Sequence, residues 1–334
     1  MTYGNPCAHF CCPILPHAEL AKLELVILLD DTSTSFCHYA VPKTDKRLMP
    51  LDTLKAGILF AMKENLSVQF VYPNYSLPKE YMEAIDSVDH YNIIPASIMD
   101  SSSDALVADG WEVDVFNDVH MPIIVRTGKQ DFFANYKKLS HLLRQTTKVD
   151  VMITDIDKFG DNDFKLYKEA LLDLANDIET MYVEGLSPQL NILTDRMMLR
   201  AMNNCGAGNT SITLAPNGKF YVCPAFYYED AEDSCGDLEH GLDIKNRQLY
   251  ELDYAPICRH CDAWQCKRCV WLNRKTTLEV NTPSHEQCVV AHIERNASMT
   301  LLKNIRKHGE FLPDSSDIKE IDYLDPFEKR KDWK

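Results

Sequence analysis

From about Lys22 to Leu199, apolar runs alternate with amphipathic stretches. Leu23 to Leu29 (LELVILL) reads as a buried strand from its length and its β-branched content. Leu51 to Asn65 predicts a helix with Leu51, Leu54, Ile58, Leu59 and Met62 along one face. Val68 to Tyr72 is a second strand, Pro78 to Val88 a helix, and Ile93 to Ala96 a short strand. Pro122 to Arg126 is a further strand, followed by a helix from about Asp131 to Gln145. Val149 to Ile156 then reads as a strand, Phe164 to Val183 as a helix, and Leu190 to Leu193 as the last apolar run of this kind.

Strands that alternate with helices predict an α/β architecture, a parallel sheet covered by helices. The number of units suits a partial (β/α) barrel. A doubly wound open sheet is the competing arrangement, and periodicity does not separate the two. No GxGxxG follows a strand and there is no P-loop, so no motif supports nucleotide binding.

After Asn203 the texture changes. Ser211 to Leu214 and Lys219 to Cys223 flank Ala215-Pro216-Asn217-Gly218, and Asn-Gly between two short β-type runs predicts a hairpin. A loop-rich acidic stretch and a dense group of cysteines follow, then a helix near Glu286 to Lys307. The tail from Pro313 to Lys334 is charged and aperiodic, and is expected to be loosely attached.

With 334 residues, 45% hydrophobic and 25% charged, the chain is of ordinary globular composition and fits one large domain or two smaller ones. No stretch approaches the roughly 18 to 20 apolar residues of a membrane helix. Met1 to Pro16 lacks a basic start followed by an apolar run, so a cytoplasmic location without a membrane partner is expected. The net charge of −15 comes from carboxylates spread along the chain, which argues against a nucleic-acid partner.

The 12 cysteines change the picture. In a reducing compartment, clustered cysteines read as metal ligands or redox groups. Four lie before residue 40, none between 41 and 204, and eight between 205 and 288. The run Cys258-Arg-His-Cys261-Asp-Ala-Trp-Gln-Cys266-Lys-Arg-Cys269 packs four thiols into twelve residues. Zinc modules usually separate two CxxC knuckles by a dozen or more residues, so this compactness favours an iron–sulfur cluster. Four thiolates in a row also suit a single zinc, which stays open as the alternative.

Upstream, Cys205 is followed by Gly218-Lys-Phe-Tyr-Val-Cys223, and Cys288 stands alone downstream before a helix. The order of these residues resembles the SPASM domain, the auxiliary-cluster module of peptide-modifying radical SAM enzymes. The first interval of the four-cysteine block, CxxC, matches that pattern, and the other two are each one residue shorter. The resemblance implies one [4Fe–4S] cluster on Cys258, Cys261, Cys266 and Cys288, and another on Cys205, Cys223 and Cys269. Cys235 is a candidate fourth ligand for the latter. Gly206-Ala-Gly208 stands where the family often has that cysteine.

A SPASM-like module implies a radical SAM barrel before it, with CxxxCxxC after the first strand. Here that loop reads Ser33-Thr-Ser-Phe-Cys37-His-Tyr-Ala40, leaving Cys37 as a remnant. Val71-Tyr-Pro-Asn-Tyr-Ser-Leu-Pro78 stands where a Gly-Gly-Glu-Pro-like segment would meet S-adenosylmethionine. Both losses argue against ordinary cleavage of that cofactor. Cys7, Cys11 and Cys12 are further candidate ligands, ahead of the first strand.

A SPASM-like module behind a degenerate barrel resembles the CXXX repeat peptide maturases, as do Leu54-Lys-Ala-Gly57 and Val68-Gln-Phe-Val-Tyr-Pro73. The resemblance implies a partial (β/α) barrel of radical SAM type followed by a small cysteine-rich domain with a β-hairpin. The expected segments are 1–20, cysteine-containing; 21–200, the degenerate barrel; 201–295, the iron–sulfur domain; and 296–334, a helix and tail. The implied activity is maturation of a ribosomally made cysteine-rich peptide, with clusters that bind substrate thiolate or carry electrons. A precursor-binding scaffold for a partner enzyme and a zinc-stabilised interaction protein are the alternatives. No catalytic residue follows from the sequence.

Around these motifs, Trp264 would shield a cluster, and Arg259, Lys267 and Arg268 would offset its charge, or all four serve packing and surface. His9, His38 and His260 neighbour cysteines. Asp30 and Asp31 end the first strand and read as a solvated loop pair.

Overall fold

The computed structural model describes residues 23–318, apart from 38, 101, 112–118 and 120. Cys7, Cys11, Cys12, His9, His38 and most of the charged tail therefore lie outside the described residues.

The first strand is β1 (Glu24–Leu28), as the LELVILL run predicts. Five more follow: β2 (Ser67–Val71), β3 (His90–Pro95), β4 (Ala105–Asp109), β5 (Ile123–Thr127) and β6 (Val149–Ile153). Each pairs in parallel with the next, so the order from β6 to β1 runs without reversal. A doubly wound sheet reverses direction at a switch point. Steady addition on one side is the progression of a (β/α) barrel, and it decides between the two architectures.

The strand β7 (Ser211–Leu214) adds in parallel on the far side of β1, and β8 (Phe220–Tyr221) returns antiparallel beside β7. The predicted hairpin is thus the continuation of the barrel sheet. Its turn closes through the Gly218 N–H donating to the Ala215 carbonyl, with Gly218 at a φ of 77° that favours glycine. At the other end of the sheet, the Asn191 side chain accepts from Val151 N–H and donates to Val151 O, satisfying groups on the edge of β6.

Helix α1 (Leu51–Lys63) buries Leu54, Gly57, Ile58 and Ala61. Leu59 and Met62 were expected on that face but are each 65% exposed. The packed stripe follows the small residues Gly57 and Ala61, which lets the helix axis approach the sheet and rotates the two larger side chains outwards. α2 (Lys79–Ile85) matches its expected span. The helix expected over Asp131 to Gln145 is two, α3 (Lys129–Asn135) and α4 (Lys138–Leu142). Leu190 to Leu193 forms only a bridge, from Leu190 to Val149. The long α5 (Asp161–Val183) and the short α6 (Asp195–Met198) complete this half.

Beyond β8 come α7 (Pro224–Glu229), a two-residue hairpin of β9 (Gly236–Asp237) and β10 (Gly241–Leu242), and α8 (Val270–Thr277). Helix α9 (His285–Ile305) runs unbroken through position 295 and packs along α5. Among the described residues no helix is long and apolar enough to cross a membrane.

Candidate metal centres

Two cysteines of the module begin helices. Cys223 is the N-cap of α7 and Cys269 the N-cap of α8. Backbone N–H groups of Ala225 and Phe226 act to lower the Cys223 thiol, and those of Trp271 and Leu272 the Cys269 thiol. A helix N-terminus favours negative charge, so both sulfurs sit where a thiolate is best stabilised. Cys205 reaches them because its N–H donates to Lys267 O at 3.2 Å, laying residue 205 beside the Cys266–Cys269 turn. Burial first, then the neighbouring thiols Cys269 and Cys205, push the Cys223 thiol well up. Burial and Cys205 push the Cys269 thiol up to about 12.

Cys258, Cys261, Cys266 and Cys288 line one cavity, with Met202, Ile257, Ala263 and His292 among its other walls. Burial raises Cys258 to about 11 and pushes Cys266 higher still, where Cys258 and Cys261 act on it. Buried thiols of this kind are protonated and unreactive unless a positive centre draws off the proton. The sequence-expected residues thus fall into two groups, three thiols and four. Among the described residues no three or more Cys, His, Asp or Glu side chains converge tightly enough for a single metal ion.

Cys235 is buried between β8 and β9, with its thiol raised to about 12 by burial and by Asp233 and Asp243. The Tyr250 ring has both Cys235 and Cys223 as neighbours. It also packs on Gly208, where an added Cβ would meet the ring at 2.7 Å. Gly208 therefore makes room for Tyr250.

Electrostatics around the thiols suit an anion. Arg268, between Cys266 and Cys269, is among the largest fully buried side chains. Its Nε donates to Asn204 Oδ1 at 3.2 Å and its Nη2 to Tyr250 O at 2.6 Å, while Nη1 is buried without a partner. Its charge acts on Cys258. A buried guanidinium with an open donor beside Cys258 fits the negative charge of a thiolate-bound cluster. Arg259 and His260 are exposed and Lys267 is half-buried, so of the three cations only Arg268 lies inside the module. Trp264 packs under Arg196, whose guanidinium carbon lies 3.9 Å from the ring centroid. Asp262, in the same loop, is buried and bound by Arg295.

Several residues here escaped the sequence reading. His292 Nε2 lies 3.6 Å from the Cys261 sulfur. The signal was present, since Cys288-x-x-x-His292 places both on one face of α9, one turn apart. Tyr39 reaches from the loop after β1 to the module, where burial and then Cys269, Cys266, Glu294 and Cys205 raise its hydroxyl. Glu294, raised by burial to about 7, accepts from Tyr167 Oη at 2.8 Å and from Gln265 Nε2 at 3.2 Å.

The loop after β1 is built from hydrogen bonds where two further thiols were expected. Ser33 Oγ donates to Val71 O at 2.7 Å and accepts from Asp30 N–H. Ala40 O accepts from Arg126 Nη2 at 2.8 Å and from Ser35 Oγ. Cys37 between them is partly buried. These residues do not fit the cluster that would bind S-adenosylmethionine. Asp30 and Asp31 are buried, against the expectation of a solvated pair. Tyr75 Oη donates to Asp30 at 2.7 Å, and Asp31 is held by Arg47 at 3.1 Å and by Tyr227 Oη. Tyr228 Oη donates to Ser33 O at 2.8 Å. Two tyrosines of α7 thus fix the first loop of the barrel. Beside it, at the carboxyl ends of β1 to β4, a cavity of about 500 Å³ is lined by Thr32, Thr34, Lys43, Asn74 and Asp109, among others.

No protein-family model matches the chain, and no curated protein does. Solved structures do. The structure of native anSMEcpe, an anaerobic sulfatase maturase, with bound AdoMet and Cp18Cys peptide is similar with a TM-score of 0.61 at 13% identity. The match covers 86% of this chain and 99% of that one. Native anSMEcpe with bound AdoMet gives 0.58 at 14% identity, over 85% and 99%. Streptococcus suis SuiB bound to precursor peptide SuiA gives 0.49 at 12% identity, over 80% and 76%. The fold, a mostly parallel eight-stranded sheet with helices, is the one anSMEcpe has, and it is the α/β architecture the sequence implied.

Proposed function

We propose that this chain takes part in maturing a ribosomally made, cysteine-rich peptide of the CXXX repeat kind, using two auxiliary [4Fe–4S] clusters. The observation that carries the proposal is the pair of thiol groups, four lining one cavity and three beside two helix N-termini, with the buried Arg268 acting on the first group through Cys258. Kinship of fold with anSMEcpe, solved with a peptide bound, supports the peptide as substrate class.

Cys258, Cys261, Cys266 and Cys288 would hold one cluster and Cys205, Cys223 and Cys269 the other. When bound, such clusters pass single electrons, and an iron without a protein thiolate takes one from another chain. The protein's own contribution is electrostatic and steric. Backbone N–H groups at the starts of α7 and α8 stabilise the thiolates of Cys223 and Cys269. Arg268 offsets charge at the four-cysteine site, where it acts on Cys258. Tyr39 and Glu294 line the cavity that leads from β6 to Cys266. The substrate would lie over the barrel mouth, from which that cavity opens towards the thiols. The expected location is the cytoplasm, where a reducing milieu keeps these thiols available.

A second reading is favoured by one observation, the hydrogen-bonded loop at Ser33 and Ala40. In that reading the barrel binds the precursor and delivers it to a partner enzyme that performs the chemistry. Anaerobic purification with iron, sulfide and zinc quantitation tests the cluster proposal. About eight irons per chain are expected. Zinc without iron would sink it and leave a zinc-stabilised interaction protein. Product mass on a precursor peptide, with and without a partner enzyme, separates maturase from scaffold.

A further inference from the structure

The cavity walled by Cys258, Cys261, Cys266 and Cys288 holds a fifth group with metal and hydrogen-bonding chemistry, the imidazole of His292. Two observations place it there. α9 projects Cys288 and His292 from successive turns of one face, so the helix that brings the last thiol also brings the ring. The ring nitrogen Nε2 lies 3.6 Å from the Cys261 sulfur, a hydrogen-bond distance for sulfur. Cys261 already accepts the Ala263 N–H at 3.4 Å. The remaining walls include Met202, Ile257 and Ala291, which are apolar, so a dipole at this sulfur acts through a medium of low dielectric.

A metal-bound thiolate carries no proton. Contact between its sulfur and an imidazole nitrogen is favourable when the nitrogen carries the hydrogen, which fixes the tautomer at Nε2–H. Four thiolates complete the set a cubane cluster requires, leaving the ring to bind sulfur rather than iron. Each N–H···S bond draws electron density from the thiolate and stabilises the reduced cluster.

Resting on the cluster assignment above, we propose that His292 donates Nε2–H to the Cys261 sulfur and thereby raises the reduction potential of the Cys258–Cys261–Cys266–Cys288 cluster. Its role is tuning, and it acts through Cys261. No thiol of the Cys205–Cys223–Cys269 group lines this cavity, so only one of the two centres feels the ring directly.

The test uses the full chain, purified anaerobically as wild type, His292→Phe and His292→Gln. Iron and sulfide are counted, and each protein is titrated reductively with EPR detection. All three are expected to hold equal iron and sulfide. In His292→Phe one of the two midpoints should move to a more negative potential while the other stays. His292→Gln keeps an N–H donor of similar reach and should bring the midpoint back towards wild type. Should His292→Phe fail to fold, His292→Asn, too short to reach the sulfur, is expected to show the same single shift. Unchanged midpoints with full iron overturn the proposal. So does the loss of about four irons in the Phe, Asn and Gln variants alike, which would make His292 a ligand. A wild type with zinc and no iron fails the cluster reading itself, before any variant is made.

Discussion

Asp262 and Arg295 form a buried ion pair, Nε to Oδ2 at 2.7 Å, that ties the loop between Cys261 and Cys266 to helix α9. Both side chains are 4% exposed, and Arg196 adds a hydrogen bond to the Asp262 carbonyl at 2.6 Å. Removing the carboxylate takes from the buried Arg295 guanidinium its ion-pair partner, which costs about 3–5 kcal/mol. Asp262→Ala should lower the unfolding free energy by that amount in urea. It should also reduce the iron retained by the four-cysteine site, since the loop and Cys288 lose their common anchor. An Asp262→Ala protein as stable as wild type would show that the pair does not hold the module together.

The contact between α7 and the first barrel loop gives a smaller effect. Tyr227 Oη bonds both Asp31 and Arg47, the latter at 2.8 Å, and the Lys43 ammonium stands 3.6 Å from the centre of its ring. Tyr227→Phe keeps the ring and the Asp31–Arg47 pair but removes a buried bridging hydroxyl, at a cost of about 1–2 kcal/mol. Denaturant unfolding should show that loss with iron content unchanged. A fall in iron would mean that the hydroxyl, rather than Cys223 at the head of α7, positions the thiols.

Most of the barrel was legible because its strands are uniformly apolar and its helices carry a stripe. β4 was not, since Ala105-Leu-Val-Ala is a run of only four apolar residues, buried together and framed by Asp104 and Asp109. Without alternation or length, nothing in it outweighs its polar flanks. In the module, the grouping of the thiols is what the SPASM resemblance implies, whereas their surroundings left no mark in the sequence. Arg268 looks like a surface cation in sequence and becomes buried because it sits between Cys266 and Cys269 at a φ of 48°. Asp30 and Asp31 look solvated and are buried because α7, nearly two hundred residues later, supplies Tyr227 and Tyr228. Partners that distant leave no local trace.

Glu24 supplies a pH signature. It opens β1, and burial raises its carboxyl to about 7 from the usual 4.5. Between those values the folded chain holds a proton that the unfolded chain has released, so stability falls as pH rises from 4.5 to 7. The contribution is complete below the unfolded value and gone above the folded one. The full shift corresponds to about 3 kcal/mol, and partial solvent access reduces it to about 1–2 kcal/mol. Glu24→Gln removes the titration, so the difference in unfolding free energy between variant and wild type should grow in the variant's favour over that window. A difference independent of pH would place the Glu24 titration outside it.

The conversion of the β1 loop makes the sharpest prediction. Ser33 and Ala40 offer no thiolate, their polar groups are engaged by Val71 O and by the Arg126 guanidinium, and Cys37 is the one thiol of this loop. A site-differentiated cluster needs three thiolates beside its open iron, so Cys37→Ala should leave iron and sulfide unchanged. Cys266→Ala should remove about four irons, the content of one cluster. Reduced wild-type protein given S-adenosylmethionine should release no 5′-deoxyadenosine. Nucleoside formation that Cys37→Ala abolishes, together with the loss of about four irons, would instead assign Cys37 to a third cluster completed by cysteines outside the described residues. The barrel would then be a working radical enzyme, and the hydrogen bonds at Ser33 and Ala40 its supports rather than its replacement.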